Sequence, residues 1–183
     1  LTSKRLTVLP MRSLAAPFLT GIAIGATLIS FFRRRRQAPA IAPQSLLRNQ
    51  AYGAYVSVAV DLARRAGSKI REAIDNREHG SQIQSKGVAD VVTETDKSNE
   101  KLIFEGLRRQ FPKHELIGEE SSSDDGEIPR LTDAPTWIVD PIDGTSNFCA
   151  GLPLTCVSIG LCIGREPVVG VVYNPLTEEL YVA

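Results

Sequence analysis

The pattern of apolar and polar residues predicts two helices followed by a series of strands. Between residues 52 and 75, apolar side chains recur at helical spacing with charged side chains between them, which is typical of an amphipathic helix packed on a core. Residues 97–110 repeat this spacing, and Asp96 directly before them is well placed to cap the second helix. Residues 82–95 contain strand-forming side chains interrupted by Gly87, which predicts a bent hairpin or a bulged strand between the two helices.

Short apolar runs predict the strands. They lie at residues 114–118, 137–139, 155–163, 168–173 and 178–182. The fourth run is a nearly continuous series of valines, which favours a strand covered on both faces. Pro141 lacks the backbone N–H that a sheet needs, so the second strand is expected to end at Asp140. Helices and strands in this order indicate a layered domain of α and β elements.

The residues before this domain differ from it in charge. Residues 1–60 contain eight of the 21 Lys and Arg residues and no Asp or Glu, which leaves residues 61–183 with 13 basic and 21 acidic residues and a net charge of −8. We therefore divide the chain into a basic N-terminal region, residues 1–50, and a globular domain, residues 51–183. Residues 37–43, with two prolines among alanines, are predicted to be the linker between them.

The N-terminal region contains a candidate membrane or targeting segment. Residues 14–32 carry no charge and would form a helix of about 28 Å, close to the thickness of the hydrocarbon core. The four arginines at residues 33–36 favour a membrane anchor with the domain in the cytoplasm. Because the region is rich in arginine and free of acidic residues, an organelle-targeting presequence is the main alternative and a secretory signal is another. The chain begins with Leu1, so Met11, its only methionine, is also a candidate start.

Several kinds of site are disfavoured. The arginine run is more typical of a membrane flank than of a nucleic-acid site, so no nucleic-acid partner is expected. The chain has three cysteines without CxxC spacing and only two histidines, which gives no support to a zinc site. Reduced thiols agree with a cytoplasmic domain. There is no Walker phosphate-binding loop and no GxGxxG motif.

The stretch WIVDPIDGTSNF, residues 137–148, contains a candidate metal site. Asp140, the backbone carbonyl of Ile142 and Asp143 can converge on one point where the strand ends. Three oxygen atoms suit a hard cation such as Mg²⁺.

The same stretch contains a candidate phosphate site. Gly144 lets the backbone approach a ligand closely, and Thr145 and Ser146 are capping-type residues that would open a helix. The free N–H groups at the start of a helix attract phosphate. Residues 137–148 therefore predict a combined metal and phosphate site.

Three motifs together resemble one protein family. DPIDGTSNF, with GEE at residues 118–120 and DVVTETD at residues 90–96, resembles the inositol monophosphatases, a family of Mg²⁺-dependent, lithium-sensitive phosphatases. The motifs occur in the family's order, and the resemblance extends from Tyr52 to the last residue. The Asn-Phe pair after DGT is more similar to inositol monophosphatases than to the related nucleotide or fructose bisphosphatases. Cys149 and Ala150 depart from the family, which often has Val-His there.

The resemblance implies a fold and a set of site residues. The fold is a layered αβαβα sandwich of the sugar-phosphatase type, in the α+β class, of which this chain would supply about the first half. Asp96 and Thr145 would orient and activate the attacking water, with Glu120 as a nearby supporting group. The implied metal ligands are Glu119, Asp140, the carbonyl of Ile142 and Asp143.

The resemblance also implies an activity. The complete protein would be a Mg²⁺-dependent phosphomonoesterase that hydrolyses myo-inositol monophosphate, or a related polyol phosphate, to free inositol and phosphate in phosphatidylinositol signalling. A 3′-phosphoadenosine nucleotide or histidinol phosphate is an alternative substrate, and a homodimer is expected. The family has a further metal-binding aspartate in a Trp-Asp motif, and this sequence stops at Ala183 before any such motif. A second hypothesis is therefore a truncated, inactive, membrane-tethered binding or oligomerising module.

Overall fold

A computed structural model describes residues 50–78, 88–125 and 129–183. These residues form helices and a sheet, as the α+β prediction requires. In chain order the elements are α1 (Gln50–Glu78), α2 (Val88–Gln110), β1 (Glu115–Gly118), α3 (Glu119–Asp125), β2 (Thr136–Asp143), α4 (Thr145–Cys149), β3 (Cys156–Ile163), β4 (Glu166–Asn174) and β5 (Glu179–Val182).

The predicted anchor, residues 14–32, lies outside the described residues, as do the arginine run and the linker. All three stay predictions. No helix in the described part of the chain is both long and apolar enough to cross a membrane.

The five strands form one sheet in the order β1-β2-β3-β4-β5. β1 and β2 are parallel, and the other neighbours are antiparallel. The last pair between β1 and β2 is Gly118 with Val139. The residues that follow them, Glu119 and Asp140, therefore lie side by side at the same edge of the sheet. The parallel pair therefore explains why two carboxylates distant in the sequence lie together.

Helices α1 and α2 pack on each other and on the sheet. The apolar stripe of α1 and the inward face of α2 meet buried residues from β2, β3 and β4 in one core. The crossing of the two helices is close, because a Cβ on Gly106 of α2 would collide with Leu62 of α1. The two helices thus cover one face of the sheet, which includes the strand that carries Asp140.

The burial of β4 alternates along its length. Val169, Val171 and Tyr173 are buried in the core, whereas Val168 and Val172 are half-buried. The prediction of a strand covered on both faces is therefore met on one face only within the described residues.

The beginning of α2 corrects a prediction. Residues 88–95 are helical, so the predicted strand is wrong there, and its remainder lies outside the described residues. Asp96 is inside α2 and does not cap it. Val88, Val91 and Val92 have the i, i+3, i+4 spacing of a helix, and a short apolar run does not distinguish this from a strand.

The end of β2 is a second correction. The strand continues past Pro141 to Asp143 instead of ending at Asp140. Asp140 pairs with Ser158 and Asp143 pairs with Cys156, so β2 has one more residue than β3 between these pairs. This is a β-bulge, and it accommodates the proline because the ladder is already interrupted there.

The bulge also determines which way the side chains point. Trp137 and Val139 pack in the core, and after the bulge Ile142 packs there too. In a regular strand Ile142 would share a face with Asp140. The extra residue instead places Ile142 in the core and Asp143 on the side of β2 that Asp140 occupies.

Candidate active site

The carboxyl groups of Glu119 and Asp140 lie within hydrogen-bond reach of each other at the edge of the parallel pair. Asp140 is 5% exposed, and Glu119 is half-buried. Burial, followed by the negative charges of Glu119 and Asp143, raises the pKa of Asp140 well above its ordinary value. Burial also raises the pKa of Glu119. A proton or a cation is needed to hold two such groups together.

A third carboxyl group, that of Asp96, reaches this region from α2. It is buried, and its pKa is raised to about 8, first by burial and then by the negative charges of Glu120, Glu119 and Glu100. Asp140 is also affected by the charge of Asp96. The structure therefore brings Asp96 into the electrostatic neighbourhood of both predicted ligands, although its place in the helix differs from the predicted one.

Three buried side-chain oxygen atoms lack hydrogen-bond partners within the described residues. One is Oδ1 of Asn99, and the other two belong to carboxyl groups, Oδ1 of Asp96 and Oδ1 of Asp140. A buried carboxylate oxygen without a hydrogen bond is costly unless a cation compensates it. A hard divalent cation fits this set of oxygen donors, and Mg²⁺ in particular is often held by one or two carboxylates.

Asp143 is placed differently from the other predicted ligands. Its side chain is exposed, and its Oδ2 lies 3.6 Å from the Sγ of Cys156, which donates to it. Its backbone carbonyl accepts a hydrogen bond of 3.0 Å from Oγ1 of Thr155. In the described part of the chain, no three His, Cys, Asp or Glu side chains form a group that could hold a metal ion. The structure thus joins Glu119 to Asp140 but does not add Asp143 as a third side-chain ligand.

The predicted phosphate segment forms a tight turn into α4. Gly144 has a φ of 86°, and a Cβ there would lie 2.6 Å from the carbonyl oxygen of Leu154, so only glycine fits. Thr145 Oγ1 donates to the Ile142 carbonyl at 3.2 Å. Ser146 is exposed in the first turn of α4. The predicted residues of this segment are therefore adjacent to one another and follow Asp143 directly.

The sequence reasoning missed Glu100. This residue of α2 is 6% exposed and accepts hydrogen bonds from the backbone N–H groups of Glu120 and Ser121. A signal was present, because Glu100 lies three residues before Ile103 and seven before Leu107, within the apolar stripe of the helix. A charged residue on a buried stripe indicates a specific partner.

A model of the inositol monophosphatase family matches residues 53–183. A tomato (Solanum lycopersicum) protein named inositol monophosphatase 1 is 52% identical over 136 residues, which are 74% of this chain and 48% of the tomato protein. This chain thus spans about half the length of that relative.

Solved structures agree with the sequence match. The crystal structure of inositol monophosphatase-II from Staphylococcus aureus MSSA476 has a TM-score of 0.60 and 32% identity, covering 71% of this chain and 46% of that one. A structure of SaIMPase-II with bound 2′AMP has a TM-score of 0.58 and 32% identity, covering 71% and 45%.

Proposed function

The chain belongs to the inositol monophosphatase family, and from this premise we propose that the protein containing it is a Mg²⁺-dependent phosphomonoesterase. Its proposed substrate is myo-inositol monophosphate or a related polyol phosphate. The reaction breaks the bond between phosphorus and the inositol oxygen, adds a water oxygen to phosphorus, and returns a proton to the inositol oxygen.

The observation that supports this most directly is the buried pair of Glu119 and Asp140. Two carboxyl groups within hydrogen-bond reach of each other, one with an unpartnered oxygen, are suited to holding a divalent cation. We propose that these two residues bind Mg²⁺ together with the Ile142 carbonyl, and that Asp143 joins them by turning away from Cys156. When bound, Mg²⁺ would polarise the phosphoryl group and lower the pKa of a bound water.

The other predicted residues are proposed to act on water and phosphate. Asp96 Oδ1 has no partner within the described residues, so it can accept a proton from the attacking water. Thr145 is proposed to orient this water, and Glu120 to support Asp96 through its charge. The backbone N–H groups of Gly144, Thr145 and Ser146 are proposed to contact the phosphate.

The test is phosphate release from myo-inositol 1-phosphate at saturating Mg²⁺. Asp140→Asn and Asp143→Asn should each lower kcat/KM by about 100-fold or more, equivalent to about 3 kcal/mol, because each leaves the cation under-coordinated. Asp61→Asn, which removes an exposed carboxylate on α1, is the control and should change the rate less than twofold.

The outcomes separate the two parts of the proposal. Wild-type rates in Asp140→Asn would refute the metal site as a whole. A normal rate in Asp143→Asn alone would show that this residue keeps its contact with Cys156 and is not a ligand. No phosphate release from the wild type would favour the alternative of an inactive binding or oligomerising module.

A second substrate class has support from one comparison. A related enzyme has been solved with 2′AMP bound, and a nucleotide phosphate was among the alternatives predicted from the sequence. The same assay with 2′AMP and with 3′-phosphoadenosine 5′-phosphate distinguishes the classes. A kcat/KM for either nucleotide above that for myo-inositol 1-phosphate would overturn the inositol assignment.

A further inference from the structure

Glu100 is a buried charged group that the proposed chemistry does not use. It lies on α2 one helical turn after Asp96, with 6% of its surface exposed. Carboxylates are rarely buried to this extent unless specific donors compensate the lost hydration. Its partners therefore indicate what the residue does.

Both carboxylate oxygens of Glu100 are used, and both partners are backbone groups. The N–H of Glu120 donates to Oε2 at 2.9 Å, and the N–H of Ser121 donates to Oε1 at 3.0 Å. These are consecutive amides in the first turn of α3, where N–H groups have no acceptor within the helix. A carboxylate from a different helix thus caps the start of α3. Hydrogen bonds from N–H groups to an ionised carboxylate are among the stronger ones in proteins.

Gly118, the residue before Glu119, leaves room for the Glu100 side chain because it has no side chain of its own. A Cβ on Gly118 would collide with the carboxylate of Glu100. Gly118 has a negative φ and does not need glycine for its backbone conformation. The close approach of Glu100 is therefore the reason for glycine at this position.

We propose that Glu100 is a positioning residue that fixes the junction between β1 and α3 and so holds the Glu119 carboxylate against Asp140. This inference rests on the proposed metal site. Glu119 lies between Gly118, which contacts Glu100, and Glu120, whose N–H is bonded to it. Without that bond the first turn of α3 is free to shift, and Glu119 moves away from the negative charges of Asp140 and Asp143 towards water.

Calorimetry of Mg²⁺ binding and amide hydrogen exchange, both on the protein that contains this chain, test the proposal. Glu100→Gln replaces one acceptor oxygen by an NH₂ group that faces an N–H, so exchange at Glu120 and Ser121 should become faster. The affinity for Mg²⁺ should fall about 10-fold or more, as is typical when a group that supports a metal ligand is changed. Gly118→Ala should reproduce both effects although every carboxylate is kept.

The control is Glu105→Gln, an exposed residue of the same helix with the same change of charge. It should alter neither exchange nor affinity. If Glu100→Gln speeds exchange but leaves Mg²⁺ affinity within twofold, Glu100 only supports the fold and the proposal is wrong. If Glu100→Gln or Gly118→Ala does not fold, Glu100→Asp is measured instead and judged by the same criterion. Aspartate keeps the negative charge but has a shorter side chain.

A further variant separates this proposal from the one it rests on. If Asp140→Asn binds Mg²⁺ as the wild type does, the metal site is wrong and the role of Glu100 falls with it. If Asp140→Asn loses Mg²⁺ while Glu100→Gln and Gly118→Ala keep it, the metal site stands and only the role of Glu100 is overturned.

Discussion

The carboxyl group of Asp96 is buried and is repelled by the negative charges of Glu120, Glu119 and Glu100. In the absence of a cation, this makes the stability of the folded protein depend on pH. Its pKa in the folded protein, about 8, lies above the ordinary value of 3.8. The folded state therefore binds a proton more tightly than the unfolded state. The resulting stability is complete below the ordinary pKa and is lost as the pH rises through about 8.

We expect Asp96→Asn to stabilise the protein in chelator and to inactivate it. Asparagine cannot ionise, so the variant should exceed the wild type in free energy of unfolding by about 1–3 kcal/mol at pH 8.5, and by less at pH 5.5. Urea denaturation with EDTA at both pH values measures this. Phosphate release should fall because the proposed proton acceptor is lost. A variant no more stable than the wild type at pH 8.5 would contradict the assigned environment, and Glu105→Gln is the matched control.

The sequence could identify several site residues but not all of their contacts. Glu119 and Asp140 were predicted because each follows an apolar strand and matches a family motif. The turn of Asp143 towards Cys156 could not be predicted, because it depends on a bulge that shifts the strand by one residue. The position of Glu100 on the apolar stripe of α2 indicates a specific partner, but no local pattern identifies that partner as backbone N–H groups about twenty residues away.

At the scale of elements, long periodic segments were predicted well and short mixed ones were not. The 52–75 helix and the strands after residue 155 were confirmed, with bounds shifted by a few residues. The strand prediction for residues 88–95 was wrong. The β-branched residues there favour a strand locally, but this segment is continuous with the following helix and becomes its first part. Local preference is a weak guide where a neighbouring element can extend.

A group of aromatic side chains around Trp137 also links α1, the segment after α2 and β2. The rings of Phe111 and Trp137 stack at 5.6 Å, and Tyr55 meets Phe111 edge-on at 5.0 Å. Trp137 Nε1 donates to His114 Nδ1 at 3.1 Å, which requires that nitrogen to carry no proton. Burial lowers the pKa of His114 below its ordinary 6.5, in agreement with this contact.

We expect this histidine to make the protein less stable in acid. Because its pKa is lowered on folding, the unfolded state binds more protons near pH 6, and stability falls as the pH drops through that range. His114→Gln keeps an acceptor and cannot titrate, so relative to it the wild type should lose about 0.5–1.5 kcal/mol between pH 7.5 and 5.5. Urea denaturation of both proteins measures the difference, in which the titration of the site carboxylates cancels. Parallel pH profiles for wild type and His114→Gln would refute the prediction.

At the scale of the whole molecule, the described residues leave apolar surface uncovered. Leu152 and Leu154, in the segment after α4, are 46% and 56% exposed. Val168 and Val172 of β4 are half-buried, which is less burial than the sequence predicts for a strand covered on both faces. Uncovered apolar side chains promote association.

We expect the 183-residue chain by itself to associate in solution. Light scattering during size-exclusion chromatography should give a mass above 19.9 kDa that rises with concentration. The double change Leu152→Ser and Leu154→Ser should lower this mass if these leucines form the contact, whereas Thr177→Ala, at an exposed site in the turn before β5, should not. A chain that stays monomeric at all concentrations would refute the prediction.

Trp137 is the only tryptophan of the chain, it is fully buried, and it lies three residues before Asp140 on the same strand. Its fluorescence is therefore an optical signal from a single known position. The emission wavelength reports whether water reaches the ring, and the intensity responds to quenching by the imidazole of His114. Titration of Mg²⁺ into the 183-residue chain can thus be followed spectroscopically without any label, through the strand that contains Asp140.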